Sequence, residues 1–400
     1  MHPMEHGFAW TGPVPDLPGT RKDGTPLRAE EPSLPIVRHQ GAGIYFREFG
    51  DRIGIGAYEH RPLPLDPADL TDTAHMLATG EHPAKRQFTP EDFAFTREEM
   101  GRILPAVKDL ELEDEFNGVF SFTPDGGPML GPSPHVDGFW CAQAVWVTQS
   151  AGVAQVMADW MLTGDPGIDT HELDHTRFDP ALLSDGWIRG RAAENYDEVY
   201  DVHFPHQSTA VTRGLKTSPF HLRMEQAGAV FAEHNGWERP LWHESNLALL
   251  EDPDFLPRDA RAVPGPVKTP TPESVNDPVP VAVPRKDAWG RVNWSPVVAA
   301  EAWATRNRAA LYDMTSLTRI LVRGTGATAF LEEQCSNLID KPVGRTLPVV
   351  YSLLLDDAGG VLSDVTVTRL GDEEYMLGVN GAMDVTRLRK QAAGRGAVTV

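Results

Sequence analysis

Apolar side chains recur in short, alternating runs along the first sixty residues, which is the spacing of β-strands. The runs at 44–47 and 52–58 flank Gly50-Asp51, a dipeptide typical of tight turns, and so predict a β-hairpin. Over 90–112 the pattern predicts a helix, because Thr89-Pro90-Glu91-Asp92 supplies an N-cap, a proline in the first turn and two acids.

The segment 118–163 predicts strand, loop, strand and helix in succession. A strand beginning at Gly118 passes into a glycine- and proline-rich loop that ends at Gly131, a second strand covers 138–144, and a helix runs to about Leu162. The first amides of a helix lack intrahelical acceptors, so this helix start could bind an anion or an electron-rich ring edge. An ordinary helix entry is the alternative.

The remaining pattern divides at a proline-rich stretch. A helix is predicted from Arg223 to His234, closed by Asn235-Gly236, and prolines then recur at short intervals through 251–286, which predicts a linker. Beyond it we expect helices at 301–312, at 327–338 and from Asp384, with strands at 319–323, 351–355, 361–369 and 374–379. The mixture of many short elements predicts an α+β protein with domains at 1–180, 181–250 and 287–400.

Composition narrows the class of protein. The chain has 400 residues and a formal net charge of -21, which disfavours binding to nucleic acid or to an anionic membrane surface. Two cysteines are too few for a disulfide framework, so we expect a reducing, cytoplasmic location. Neither a signal peptide nor a run of ~18 apolar residues is apparent in the sequence.

Two motifs imitate known sites. His171-Glu-Leu-Asp-His175 matches the zinc pattern H-E-x-x-H, but nearby prolines leave little room for the helix that such a site needs, so we expect no metal here. Gly324-Thr-Gly-Ala-Thr-Ala329 imitates a dinucleotide fingerprint, but no following strand ends in an acid at the required distance. A tight strand-to-helix turn is the better interpretation.

Asp364 lies inside a predicted strand, on the same face as Leu362. If that face is buried, the carboxylate needs a cation or donors and indicates a functional site; an exposed strand aspartate is the alternative. His6 and Tyr45 have no local motif around them, and packing alone would explain both.

Longer stretches carry a family resemblance. The chain resembles the dimethylglycine and sarcosine dehydrogenase family, most closely bacterial dimethylglycine oxidase, in the following stretches: Leu34-Pro-Ile-Val-Arg-His-Gln, 45–62, 117–132, 145–153, 195–202, 217–221, 236–240, 311–315 and 359–367. Such proteins join an FAD-dependent amine oxidase domain, similar to D-amino-acid oxidase, to a folate-binding domain like the T-protein of glycine cleavage. The resemblance implies oxidative N-demethylation of N,N-dimethylglycine or sarcosine, with transfer of the one-carbon unit to tetrahydrofolate.

The resemblance also implies roles for individual residues. His6 corresponds to the histidine that governs amine protonation, and Tyr45 to its hydrogen-bonded partner. Two segments correspond to flavin contacts: a loop containing Pro124, Asp125, Gly126, Leu130 and Gly131, and a turn containing Trp146, Val147, Thr148 and Gln149, the last of which replaces the usual histidine. Tyr351 corresponds to a pterin-pocket residue, and Asp364 to the carboxylate that assists attack by the folate nitrogen.

The family's nucleotide-binding β-α-β unit is not found in this sequence, and the folate domain has further lobes. We therefore expect parts of two larger domains, with a partner chain as one possible source of the FAD-binding half. The alternatives are a folate-dependent aminomethyltransferase without redox activity and a non-catalytic subunit that needs a partner chain.

Overall fold

The computed structural model describes residues 1–15, 17, 20, 23–26, 32–58, 61–252, 254–255, 293–344 and 346–400. The chain forms two compact units, one comprising Met1–His175 with Ala181–His203 and the other Thr176–Pro180 with Phe204–Val400. Both mix helices with antiparallel sheet, which confirms the predicted α+β class. The predicted linker at 251–286 lies almost wholly outside the described residues, and the predicted domain bounds stay a prediction.

An antiparallel sheet forms the centre of the first unit. Its strand order is β2-β3-β4-β1-β7-β6, with β5 also paired to β1. The strands are β1 (His2–Thr11), β2 (Val37–His39), β3 (Ile44–Phe49), β4 (Arg52–Ala57), β5 (Leu63–Pro64), β6 (Lys85–Arg86) and β7 (Leu112–Phe122). A separate hairpin consists of β8 (Met129–Pro132) and β9 (Trp140–Gln143), and the helices are α1 (Thr73–Thr79), α2 (Pro90–Ile103), α3 (Ser150–Thr163) and α4 (Asp185–Glu198).

The two faces of this sheet have different side chains. One face packs on α2 and forms an aliphatic core that includes Ile44, Ile55, Phe93 and Met100. Because side chains alternate along a strand, the intervening positions point to the other side. There they form a surface that we call the aromatic face, made of His6, Phe8, Trp10, Tyr45, Phe49, Tyr58, Phe116, Phe120 and Phe122.

The predicted hairpin at 44–58 is confirmed as β3 and β4. The predicted helix at 90–112 is wrong beyond Ile103. Leu104 leaves the helical region with φ -127° and ψ 84°, since the residue before a proline disfavours helical angles and Pro105 follows. The helix predicted to end near Leu162 ends at Thr163, and Gly164 adopts the left-handed conformation that stops it.

The second unit contains another antiparallel sheet, with strand order β12-β15-β14-β13. Helices α7 and α8 pack on one face of it, around a core that includes Val322, Phe330, Leu377 and Leu388. The elements of this unit are α5 (His221–Gln226), β10 (Ala229–His234), β11 (Trp237–His243), α6 (Val297–Asn307), β12 (Thr318–Arg323), α7 (Ala327–Gln334), β13 (Val349–Leu355), β14 (Val361–Gly371), β15 (Glu374–Val379) and α8 (Ala382–Ala392).

The predicted helix from Arg223 to His234 is wrong, because most of it is the strand β10. Asn235 and Gly236 do not close a helix; their φ angles of 51° and 81° form a tight turn between β10 and β11. Positive φ at both central positions is the geometry of the hairpin turn that Asn-Gly favours. Helix α6 begins and ends earlier than predicted, at Val297 and Asn307, and α7 ends at Gln334 instead of 338.

Both imitated motifs have ordinary structures. His171 and His175 begin two short 3-10 turns, separated by extended Asp174, so they do not share an α-helix. The N–H of Gly326 donates to the Ala397 carbonyl at 3.1 Å, and the segment around it is a tight strand-to-helix turn. Among the described residues, no group of three or more His, Cys, Asp or Glu side chains is placed to hold a metal ion. The described helices include none that is long and apolar enough to cross a lipid bilayer.

Candidate functional site

His6 lies in the middle of the aromatic face and is 5% exposed. Its ring stacks on Tyr58, with centroids 5.1 Å apart and planes 8° apart, and contacts the edge of Phe120 at 4.8 Å. Gly118 is directly opposite on β7, where a Cβ would lie 2.9 Å from His6 Nε2. The glycine therefore provides the space in which the imidazole lies.

Tyr45 also lies opposite a glycine. It pairs with Gly56 on β4, and a Cβ at Gly56 would lie 2.2 Å from both Cζ and Oη of Tyr45. Burial raises the pKa of Tyr45 to about 12, against a smaller opposite effect of the Arg38 charge, so the hydroxyl is protonated at neutral pH. The ring that stacks on His6 is Tyr58, which contacts Tyr45 at 5.9 Å; the predicted hydrogen bond between Tyr45 and His6 stays a prediction.

Sequence reasoning missed most of the rings around His6. Tyr58 is 4% exposed, its pKa is raised by burial, and its hydroxyl shares a hydrogen bond with Tyr200. Tyr196 and Tyr200 approach from the end of α4, and both contact Tyr58. Two sequence signals could have indicated these rings. Tyr58 follows Gly56 by two residues and therefore lies on the same face of the strand, and Tyr196 and Tyr200 have the i,i+4 spacing of one helix face.

The predicted flavin-contact segments meet at one cleft in the first unit. The cleft has a volume of about 80 Å³ and is lined by Phe122, Gly126, Trp146, Asn195, Glu198, Val199 and His203. The Asn195 amide donates to the Pro124 carbonyl at 2.8 Å and so fixes the loop. Gly126 has φ 78°, a conformation that a residue with a Cβ rarely adopts, while the Asp125 carboxylate accepts from the Gly127 N–H at 3.2 Å.

The other predicted flavin contacts divide into buried and exposed positions. Leu130 is 1% exposed, and Gly131 lies against Trp160, which a Cβ would approach to 2.8 Å. Thr148 and Gln149 are exposed beside Val147, which is 90% exposed in the turn that precedes α3. The Gln149 side chain accepts a hydrogen bond from the Trp146 N–H at 3.3 Å. Gln149, which replaces the histidine usual in the family, therefore has a local structural role.

These residues fit the planar ring of a flavin. Trp146 contacts Phe120 and Phe122 at 6.0 and 5.6 Å between centroids, and so adds an aromatic wall beside His6. The amides of Val147 and Thr148 come first in a helical turn, where backbone donors have no intrahelical acceptor. An apolar wall next to free amide donors matches a flat heterocycle that carries carbonyl oxygens at one edge.

In the second unit, Tyr351 and Asp364 lie next to each other on neighbouring strands. The Tyr351 hydroxyl donates to Asp364 Oδ2 at 3.2 Å, and the Asp364 charge raises the pKa of that hydroxyl. Both side chains are exposed. The inward positions of β14 belong to Ser363 and Val365, so the structure shows the exposed strand aspartate of the two alternatives. The sequence did not reveal Asn380, whose amide donates to Asp364 Oδ1 at 2.8 Å.

A second carboxylate supports this arrangement from the interior. Asp384 is 5% exposed; it accepts from the Asn380 N–H at 2.9 Å and from the Ser363 hydroxyl at 3.0 Å. Asn380 is therefore held at its backbone while its side chain holds Asp364. An anchored carboxylate beside the exposed ring of Tyr351 fits a flat, nitrogen-bearing ring such as the pterin of a folate.

Family models match almost the entire chain. Residues 7–160 match the FAD dependent oxidoreductase model, 163–218 the FAD dependent oxidoreductase central domain, and 220–400 the GCVT N-terminal domain. The chain therefore matches an FAD dependent oxidoreductase domain followed by a domain of the glycine-cleavage T-protein type.

Individual proteins that contain such domains are similar to this chain at modest sequence identity. Human mitochondrial sarcosine dehydrogenase is 28% identical over 84% of this chain and 35% of its own length. The formaldehyde-forming 4-methylaminobutanoate oxidase of Paenarthrobacter nicotinovorans is 25% identical over 86% of this chain and 37% of its own length. The mitochondrial pyruvate dehydrogenase phosphatase regulatory subunit of Mus musculus is 26% identical over 94% and 38%.

The matched models and these relatives support the predicted resemblance to the dimethylglycine and sarcosine dehydrogenase family. The matched domain models support both predicted cofactors, FAD and tetrahydrofolate. The chain spans little more than a third of the length of these relatives.

Proposed function

We propose that the aromatic face binds an N-methylated amino acid such as sarcosine or N,N-dimethylglycine. In this proposal the substrate undergoes oxidative N-demethylation, and its one-carbon unit passes to tetrahydrofolate held by Tyr351 and Asp364. Two relatives support the substrate class, since one is named for sarcosine and the other for a methylamino acid from which it forms formaldehyde.

The position of His6 carries the proposal. A methylated amine is protonated at neutral pH, and its carbon can give up hydride only after the nitrogen lone pair is free. When bound, FAD accepts that hydride. The buried imidazole, which lies beside Tyr58 and Phe120, is a basic group on this face that can accept the ammonium proton.

The surrounding rings suit such a substrate. Aromatic faces attract a methylated ammonium through their quadrupole and exclude water from the reacting carbon. Tyr45 remains a hydrogen-bond donor at neutral pH because its pKa is about 12. Its hydroxyl is therefore available to an anionic or lone-pair acceptor on the substrate.

On the second sheet, the Asp364 carboxylate is fixed from both sides by Tyr351 and Asn380. A carboxylate held in this way can accept a proton from a folate nitrogen as that nitrogen attacks the one-carbon unit. It also stabilises positive charge that develops on the carbon.

The test is anaerobic mixing of the protein, purified with FAD bound, with sarcosine or N,N-dimethylglycine. We expect loss of the visible flavin absorbance and a rate that rises with pH as the substrate proton is removed. His6→Asn should lower the rate by about 10²-fold, whereas His135→Asn, on an exposed loop, should leave it unchanged. With tetrahydrofolate added, Asp364→Asn should increase formaldehyde release without changing flavin reduction.

The same experiment separates the alternatives. Transfer of a one-carbon unit to tetrahydrofolate without flavin reduction would support an aminomethyltransferase and contradict the redox proposal. If neither reaction occurs, the redox proposal and the aminomethyltransferase alternative both fail, and a non-catalytic subunit is the alternative that remains.

A further inference from the structure

The substrate proposed above carries a carboxylate, which needs a cation in a chain whose net charge is -21. Among the described residues, three arginine or lysine side chains on the strands of the aromatic face form no ion pair with an acid. They are Arg38 on β2, Arg47 on β3 and Lys85 on β6. Their positions relative to His6 decide between them.

Lys85 lies in direct register with His6 across one intervening strand. It pairs with Gly118 on β7, and Gly118 pairs with His6 on β1. Because paired residues of neighbouring strands project from the same face of a sheet, Lys85 and His6 both lie on the aromatic face. Gly118 has no side chain, so that position of β7 places nothing between them.

The polar groups of both side chains extend over β7. A Cβ on Gly118 would lie 2.9 Å from His6 Nε2, so the imidazole leans over Gly118 toward β6. The Lys85 ammonium lies 4.3 Å from the centroid of the Phe116 ring, which belongs to the same strand. Gly118 and Phe116 are two positions apart, a spacing of about 7 Å along the strand. One small molecule can therefore contact the imidazole and the ammonium together.

This spacing suits an α-amino acid. In sarcosine and N,N-dimethylglycine, the amine and the carboxylate are attached to one carbon. With a hydrogen bond of about 2.8 Å at each end, a molecule of this length spans the distance in a bent arrangement. The lysine stem is flexible and its three donors rotate, so the ammonium can follow the carboxylate while the amine stays at His6.

The two arginines are less well placed. Arg38 lies three strands from His6, behind two tyrosine rings that contact each other. Arg47 is level with Trp10, four residues along β1 from His6. Its guanidinium lies 5.4 Å from the centroid of the Phe49 ring, at the far end of the face. An α-amino acid whose amine contacts His6 reaches neither arginine.

A lysine on β6 has a structural alternative, because β6 ends the sheet and edge lysines commonly prevent pairing with other chains. The direction of the side chain favours a binding role. The contact with Phe116 holds the ammonium over the aromatic face. The next residue, Arg86, projects from the opposite face and pairs there with Glu5 at 3.1 Å, so that acid does not neutralise Lys85.

We propose that Lys85 binds the substrate carboxylate and thereby selects methylated α-amino acids over neutral methylated amines. This inference rests on the proposed function, because it takes the substrate of that reaction. The ion pair at Lys85 holds the amine over Gly118, within reach of His6 Nε2. Lys85 is thus a binding residue and takes no part in the removal of the proton or the hydride.

The test combines binding and kinetics in the FAD-loaded protein. Trimethylglycine has the carboxylate but no nitrogen lone pair, so its dissociation constant can be measured by calorimetry without turnover. Lys85→Gln should raise this constant, and the KM for N,N-dimethylglycine, by about 10- to 100-fold. The kcat should change little, because the lost interaction is made equally in the ground and transition states. The preference in kcat/KM for N,N-dimethylglycine over N,N-dimethylethylamine, which lacks the carboxylate, should fall by the same factor.

Matched variants distinguish carboxylate binding from protection of the sheet edge. Lys85→Arg keeps the charge and should retain most of the affinity for trimethylglycine. Arg47→Gln removes an equal charge from the same face and should leave binding unchanged. Lys85→Gln should unfold at the same urea concentration as the wild type and scatter no more light. A Lys85→Gln variant that aggregates but binds trimethylglycine with wild-type affinity would overturn the assignment, as would loss of binding in Arg47→Gln alone.

The outcomes also separate this inference from the proposed function. If the wild type binds trimethylglycine and N,N-dimethylglycine reduces its flavin, but Lys85→Gln behaves in the same way, only the role of Lys85 is refuted. If the wild type neither binds trimethylglycine nor shows flavin reduction with N,N-dimethylglycine, the proposed function fails, and the inference fails with it.

Discussion

The glycine opposite Tyr45 allows a direct test of how the aromatic face is built. In Gly56→Ala, the new Cβ would lie 2.2 Å from Tyr45 Cζ and Oη. Ordinary van der Waals contact begins near 3.4 Å, so the ring must move by more than about 1 Å or the strands must separate. Overpacking of this kind costs about 1–3 kcal/mol of unfolding free energy.

The assay is a double-mutant cycle on the chain, with unfolding by urea followed by circular dichroism. Gly56→Ala should be destabilising in the wild-type background and almost neutral when Tyr45 is already alanine, because the obstructing ring is then absent. Gly152→Ala is the control, since no heavy atom lies within 4 Å of its new Cβ, and it should not reduce stability. Equal costs of Gly56→Ala in both backgrounds would refute the reasoning.

Three further predictions concern the second unit. Removing the neighbouring charge with Asp364→Asn should lower the pKa of Tyr351 toward its usual value, measured by ultraviolet titration; an unchanged pKa would contradict the contact. The hydrogen bond from Arg213 holds the pKa of Glu238 below its usual 4.5, so this carboxylate stabilises the fold above that pH and loses its effect as the pH falls. Unfolding curves below pH 4.5 should therefore show a steeper loss of stability in wild type than in Glu238→Gln, and parallel curves would exclude the linkage. Gly236→Ala should cost about 1–2 kcal/mol, because φ is 81° in the hairpin turn, and an unchanged midpoint in urea would contradict that.

Strands β3 and β4 of the first sheet and the four strands of the second were predictable because their signals are local. Alternation and the turn dipeptide Gly50-Asp51 located β3 and β4 without any knowledge of the partner strands. The segment 223–234 was misassigned because its composition suits a helix. The strand there depends on pairing with β11 and on a turn geometry that Asn235-Gly236 supports equally well as a helix stop or as a hairpin.

Asp364 shows that the alternation of side chains along a strand does not predict which face of the sheet is buried. The pattern places Leu362 and Asp364 on one face, but it does not say which face is covered by helices. In the structure α7 and α8 cover the opposite face, where Val365 lies, so the carboxylate is exposed. Its anchoring by Asn380 depends on the pairing of β14 with β15, which no local pattern could reveal.

Cross-strand pairing is also the reason why His6 and Tyr45 carry no motif. They lie on strands separated by β4 in the sheet, and each depends on a glycine that is distant in sequence, Gly118 for His6 and Gly56 for Tyr45. When residues of a site are brought together by pairing across strands, they are scattered along the chain as isolated residues. Among them, a glycine inside a strand that no turn or bulge explains is the most informative. Read in this way, glycine positions on a predicted strand indicate where a large side chain of the neighbouring strand lies flat. On this sheet, those side chains are Trp10, opposite Gly54, and the two that the family resemblance assigns to catalysis, His6 and Tyr45.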